Sequence, residues 1–268
     1  MLVALFSLKG SPGVTTFTLA LAARWPGPVR PLLVEADPSG GDLATRFALP
    51  AAPGLVSLTA AVRRNSDPAV LWQHAQAIGG VPVVSAPADG DRARSALSAL
   101  VQDPGVLRAA AARPGAVLLA DCGRIDGSSP ASAIAQLADA TVLLTRASAD
   151  DLAHLPRKLP AIGQWSPRPV LLLAGNGYGP AEVGRELGVP VLGRIPDDLR
   201  GAAVLCGRPS GLRGDRRHGP GRSTIGQFAH KVATLLTPLA PQALPGRQAP
   251  VNAARSVPAI GAWGGAVS

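Results

Sequence analysis

The sequence predicts an α/β fold, a three-layer, doubly wound and mostly parallel sheet flanked by helices. Three observations carry that expectation. Short apolar runs alternate with longer stretches of helical spacing from the start of the chain to the mid-230s, the pattern of repeated βα units. Each apolar run ends in a polar or loop-forming residue. Of the 268 residues 47% are hydrophobic but only 3% aromatic, so the interior must be filled with Ala, Val and Leu, which suits parallel strands covered by helices. Residues 1–237 are read as one such domain, and 238–268, rich in Pro, Ala and Gly without a sustained period, as a flexible tail.

The strands expected in order are Leu2–Leu8, Pro31–Glu35, Val81–Ser85, Ala116–Asp121, Ala140–Thr145, Pro169–Ala174 and Val189–Ile195. Helical spacing is found over Thr15–Arg24, Val56–Arg64, Pro68–Ile78, Asp91–Arg113, Pro130–Leu137, Ala149–Ile162, Pro180–Leu187 and Ser223–Leu236. Pro68, Pro130 and Pro180 stand at first-turn positions, where a missing N–H costs nothing. Asp103-Pro104-Gly105 breaks the long stretch into two helices around a turn.

Composition narrows the function classes. Cys122 and Cys206 lack metal-ligand spacing and suggest a reducing, cytoplasmic setting rather than a zinc site or disulfide framework. The run Leu2–Leu8 is too short for a secretory segment and carries its lysine on the wrong side, so it reads as a buried strand. No apolar stretch approaches the roughly 20 residues needed to span a bilayer. The formal charge of +9 invites a polyanion, with the arginines of Cys206–Arg222 (Arg208, Arg213, Arg216, Arg217, Arg222) as the local candidates. Biased base composition in an Ala/Gly/Pro/Arg-rich chain accounts for the same charge without a ligand. His74, His154, His218 and His230 have no ligand spacing, and no Ser/His/Asp or Cys/His constellation can be assembled.

The most informative segment is Lys9-Gly10-Ser11-Pro12-Gly13-Val14-Thr15-Thr16, between an apolar strand and an apolar helix. Glycines let the backbone curl its N–H groups around an anion, and the following helix adds its N-terminal dipole. Thr15 can offer a hydroxyl to a magnesium ion and Thr16 can donate to a phosphate oxygen. Asp121 closes an apolar strand, where an uncompensated carboxylate is costly and a metal or hydrogen-bond partner is expected. Asp37 and Asp42 also suit turn and cap roles, Asp42 the cap especially.

This segment resembles the deviant Walker A loop of the ParA/MinD family of P-loop ATPases, K-G-G-x-G-K-T-T/S. The resemblance implies that Gly10 to Thr16, including Ser11, Pro12, Gly13 and Val14, hold the phosphates of ATP. It implies that Lys9 reaches across a nucleotide-sandwiched homodimer. The family's second lysine is replaced by Val14, which removes a charge-assisted contact worth ~1.5–3 kcal/mol and makes weak or absent hydrolysis the expectation. Glu35-Ala36-Asp37-Pro38-Ser39-Gly40-Gly41 is similar to the family's D-x-D-P-Q-G-N switch, so Asp37 would position the attacking water and Glu35 stand near the metal. Asp121-Cys122-Gly123 looks like the end of the Walker B strand, which assigns Mg²⁺ to Thr15, Asp121 and Glu35. Asn176 lies where the family carries an adenine-facing Asn. Gly188 to Asp198 is close to G-x-P-x-L-G-x-I-P-x-D, with Pro196 in the loop that encloses the base.

The resemblance covers about Met1 to Leu236 and implies an ATP-binding switch that recruits a partner protein in partitioning or localising DNA, division or pilus and secretion machinery. The divergent TadZ/CpaE-like branch fits the altered loop. Non-specific DNA is a further partner to consider. A membrane anchor of the amphipathic kind is argued against by Pro241, Pro245, Pro250 and Pro258 in the tail. The alternative is a nucleotide-free pseudo-ATPase scaffold that binds protein or DNA, in which Val14 is simply the first apolar residue of its helix.

Overall fold

The computed structural model describes residues 1–165, 168–208 and 219–239. Its strands are β1 (Leu2–Ser7), β2 (Arg30–Glu35), β3 (Gln76–Ile78), β4 (Val81–Val84), β5 (Ala116–Arg124), β6 (Ala140–Arg146), β7 (Pro169–Ala174) and β8 (Val191–Arg194). They form one sheet in the order β3-β4-β2-β5-β1-β6-β7-β8. Every neighbouring pair is parallel except β3 with β4. β2 lies on one side of β1, beyond β5, and β6 on the other, so the strand order reverses direction around β1 and β5 and the switch point that favours a ligand lies at their carboxyl ends.

Both faces of the sheet are covered, as the apolar strands require. Successive side chains of a strand point to opposite faces. Leu2, Ala4 and Phe6 of β1 accordingly enter one apolar cluster, while Val3 and Leu5 enter the other. The first cluster is closed by α3 (Leu55–Val62), α5 (Gly90–Leu100), α6 (Gly105–Ala111), α7 (Ala131–Leu137) and α9 (Leu155–Trp165). The second is closed mainly by α1 (Val14–Ala23) and α12 (Thr224–Leu236), with Phe17 and Phe228 in tilted ring contact at 6.0 Å. The long predicted helix over Asp91–Arg113 is resolved as α5 and α6, broken where Asp103-Pro104-Gly105 turns the chain.

Three local expectations are corrected. The stretch Pro68–Ile78 is helical only over α4 (Val70–Gln73), after which the chain enters β3 and returns as β4. The two residues between them, Gly79 and Gly80, have φ of 55° and 88°, the left-handed pair that a tight antiparallel hairpin needs. Ala149–Ile162 is interrupted, giving α8 (Ala149–Leu152) and α9. Asp42 stands at the N-cap of the short α2 (Leu43–Arg46), but its carboxylate makes no cap bond and pairs with Arg46 at 2.6 Å instead. Among the described residues, α2 and α11 (Leu199–Leu205) lie outside the stretches of expected helical spacing; α10 (Pro180–Leu187) matches its expectation. The tail from residue 240, and Arg213, Arg216 and Arg217 of the basic loop, lie outside the described residues.

Candidate functional site

β1 delivers the chain at Ser7 into the loop that ends where α1 begins. Gly10 and Gly13 adopt φ of 65° and 93°, open to glycine at no steric cost. Gly13 is the N-cap of α1 and supplies no side-chain cap, so the first N–H groups of a ten-residue helix are left for another acceptor. A side chain built at Gly10 or Gly13 would meet nothing within 4 Å, so the loop opens onto free space. That space is a concavity of about 410 Å³ lined by Gly10, Ser11, Gly13, Val14, Thr15 and Thr16 of the loop, with Asp37, Asp42, Arg46, Gly123 and Arg124 facing them.

The acids gather at the ends of adjacent strands. Asp121 of β5 lies in register with Glu35 of β2 and Leu5 of β1. It is wholly buried, and Oδ1 accepts from the Gly123 N–H at 3.1 Å, while Oδ2 has no hydrogen-bond partner. Burial, reinforced by the Glu35 and Asp37 charges, pushes its pKa up to about 7 against the lowering effect of the Thr15 hydroxyl and the Gly123 amide. An orphaned carboxylate oxygen at this depth is costly, and a hard divalent cation taking oxygen ligands would satisfy it. Asp121 and the Thr15 hydroxyl thus fit the Mg²⁺ that the resemblance implies. Among the described residues no group of three His, Cys, Asp or Glu forms a ligand cluster by itself, so waters and phosphate would have to complete the shell.

Glu35 is beside Asp121, but its oxygens are engaged elsewhere. Oε1 accepts from the N–H groups of Asp42 and Leu43 at 2.7 and 3.0 Å, and Oε2 from Ala86 at 2.9 Å. Burial raises its pKa while those three amides oppose the rise. The carboxylate, expected near the metal, ties residues 42 and 43 to the end of β4.

Asp37 reaches the same concavity, with Oδ1 accepting from the Ser39 N–H at 2.8 Å. Burial raises its pKa from the ordinary value, with the Ser39 hydrogen bonds opposing the rise. Its carboxylate rests on Gly123, whose φ is 57° and where any Cβ would collide with it. Gly123→Ala is therefore expected to lower stability by about 1–2 kcal/mol from backbone strain and to displace Asp37. Urea unfolding checks the first effect, and a crystal structure of the variant checks the second.

Lys9 is placed on its own chain. Its Nζ donates to the Asp150 carbonyl at 3.1 Å and lies 4.0 Å from Asp151 Oδ1, at the start of α8, with the side chain 46% exposed. Val14 is 6% exposed and belongs to the apolar cluster of Phe17 and Leu43.

A second concavity of about 400 Å³ adjoins the first, sharing Gly13 and Thr16. Pro12 and Phe17 complete its loop side, and Gly175, Asn176, Ile195, Pro196, Asp198 and Leu199 form the wall opposite. Asn176 and Pro196, predicted far apart in sequence, are thus brought together. Two residues to which the sequence reading gave no role of their own, Arg194 and Asp198, the last acid of the stretch Gly188 to Asp198, hold this wall in place. The Arg194 guanidinium donates to the carbonyls of Gly175, Gly177 and Tyr178, fixing the loop that carries Asn176. Asp198 accepts from Gly201 at 2.8 Å, Thr224 Oγ1 at 2.9 Å and Ile225 at 3.2 Å, so one carboxylate caps both α11 and α12. The signal for Asp198 was the acid two residues beyond Ile195-Pro196, followed by an apolar run.

Burial pushes the Asp198 pKa up, yet the Gly201, Ile225 and Thr224 donors outweigh it and hold it below the usual value. Its contribution is present above the unfolded pKa and lost as pH falls through the folded one. Asp198→Ala should cost about 1–2 kcal/mol at neutral pH, and the difference from the natural chain should shrink below about pH 4 in urea titrations.

The parallel sheet, glycine loop and strand-end acids define the P-loop α/β fold of the ParA/MinD ATPases. No protein-family model matches the sequence, and no curated protein matches it; the likeness lies in the fold. A ParA family ATPase from Chlorobium tepidum TLS matches with a TM-score of 0.67 at 16% identity, over 87% of this chain and 98% of that one. The septum site-determining protein MinD complexed with Mg-ADP from Pyrococcus horikoshii OT3 gives 0.61 at 19% identity, over 90% and 97%. The ATP complex of a Cyanothece McdA variant gives 0.58 at 18% identity, over 87% and 95%. Among the described residues no helix is long and apolar enough to cross a membrane.

Proposed function

We propose that the chain is a nucleotide-dependent switch that binds ATP and Mg²⁺ in the two joined concavities, turns ATP over weakly or not at all, and dimerises to hold a partner protein. The observation that carries this is the buried, unpartnered Oδ2 of Asp121 next to Thr15, behind an open glycine loop that leads to a base-sized concavity. The solved Mg-ADP and ATP complexes of proteins with the same fold support it.

In this reading the amides from Gly10 to Thr16 bind and orient the phosphates, and Asn176 and Pro196 flank the base. Thr15 and Asp121 hold Mg²⁺, which when bound neutralises charge on the terminal phosphates. Asp37 orients the attacking water and can accept its proton at Oδ2. Lys9 must leave Asp150 and Asp151 before it can act across a dimer. The cargo we propose is localisation or partitioning machinery for DNA, division or pilus assembly, within the cytoplasm. Titration with a fluorescent ATP analogue, with and without Mg²⁺, tests the reading; absence of saturable, Mg²⁺-dependent binding removes it.

A second reading is favoured by Val14, which sits in the core where a phosphate-binding lysine is expected. The chain would then be a nucleotide-free scaffold for protein or DNA. It requires no thermal shift with ATP, and DNA affinity that falls steeply with salt.

A further inference from the structure

We propose that Arg46 supplies the cation that the loop lost at Val14, binding the polyphosphate of the nucleotide from the side of α2. This rests on the nucleotide reading above and names the residue that would make it workable. Leu43 of α2 is wholly buried in the cluster that also contains Val14 and Phe17. That anchor holds a four-residue helix against the start of α1 and brings Arg46 to the wall of the phosphate concavity. There Nη1 donates to Thr16 Oγ1 at 3.4 Å, and Nη2 pairs with Asp42 Oδ2 at 2.6 Å.

The other cations near this concavity are placed differently, Lys9 outside its lining and Arg124 on its far side. Lys9 is turned toward Asp150 and Asp151. Arg124 stands beyond Gly123, where its charge acts on Asp37 and Asp126. Of the three, Arg46 is the one held against Thr16 at the start of α1, on the side of the concavity where the Val14 position lies. Its pairing with Asp42 does not compete strongly, because the Asp42 side chain is 58% exposed and such pairs are screened by water. A guanidinium has donors left over after two contacts, and its planar fork matches two oxygens of a phosphate. The cation therefore arrives from a neighbouring helix, and position 14 is left free to join the core.

The test measures binding of Mg-ATP, ADP and AMP to the natural chain, Arg46→Ala, Arg46→Lys and Val14→Lys, and to Val14→Lys combined with Arg46→Ala. Arg46→Ala should weaken ATP roughly tenfold to a hundredfold, ADP less, and AMP hardly at all. Arg46→Lys should recover part of the loss. Val14→Lys should rescue the Arg46→Ala chain by a larger factor than it improves the natural one, because the two cations answer the same charge. AMP binding reports that each variant keeps its base site. Equal losses for AMP and ATP, or equal gains from Val14→Lys in both backgrounds, overturn the assignment while leaving nucleotide binding intact. If the natural chain binds none of the three, the nucleotide reading falls and this assignment with it.

Discussion

Asp121→Asn is expected to abolish the Mg²⁺ dependence of ATP binding and, in the same variant, to make the ligand-free chain more stable above neutral pH. The two effects have one origin. In the folded chain the carboxyl group has its pKa pushed from an ordinary 3.8 to about 7 by burial, with help from Glu35 and Asp37. Between those values the folded state keeps a proton that the unfolded state releases. Stability therefore falls as pH rises from about 4 to about 7 and is level beyond. At about 1.4 kcal/mol per pH unit the full loss is on the order of 4 kcal/mol. Asparagine has nothing to ionise, so urea unfolding at pH 8 should show a gain of that order over the natural chain, shrinking to near zero at pH 4. Isothermal titration should show ATP binding alike with Mg²⁺ and with chelator. A stability difference that ignores pH, or Mg²⁺ dependence that persists, would remove Asp121 from the metal.

Val14→Lys is expected to tighten Mg-ATP binding severalfold, less than the roughly tenfold to hundredfold worth of one charge-assisted phosphate contact because Arg46 already answers part of that charge. Measurable turnover should appear with it, since the ammonium would meet charge that moves onto the leaving oxygens. Val14 lines the phosphate concavity while its side chain is 6% exposed, so a lysine stem can keep the apolar packing as its head moves outward. The cost in stability should stay within about 1–2 kcal/mol. A steady-state phosphate-release assay decides the matter. Turnover confined to the variant makes the natural chain a binder; no change in affinity, in the Arg46→Ala background as well as the natural one, would mean that the loop is not shaped around phosphates at all.

The order of strands along the chain was legible because each is an apolar run with a polar end, and all seven expected runs are strands. What periodicity could not see was β3, three residues long and read as the end of a helix. The Gly79-Gly80 pair was the available signal, since only a turn with two left-handed residues asks for it. The loop glycines and Asp121 could be singled out as candidates from the residues themselves, whereas Asp37, which by itself also suits a turn, was singled out by the family resemblance. Asn176 and Pro196 followed from the family resemblance. Arg46 and Arg194 could not be read at all. Their roles depend on the packing of α2 against α1 and on carbonyls of the loop after β7, and an arginine among 26 Lys and Arg residues carries no local mark of either.

Glu35 has a mechanical consequence. One buried carboxyl group grips the amides of residues 42 and 43 with one oxygen and that of Ala86 with the other, and the neighbouring Ser85 carbonyl receives the first amide of α3 at 2.8 Å. Residues 42–43 therefore cannot shift alone: either two short bonds break in a dry setting, or the end of β4 and the root of α3 travel with them. Events at the terminal phosphate would then be transmitted as a displacement of the α3 side of the molecule, with the arch from Asp37 to Gly41 taking up the strain between two fixed feet.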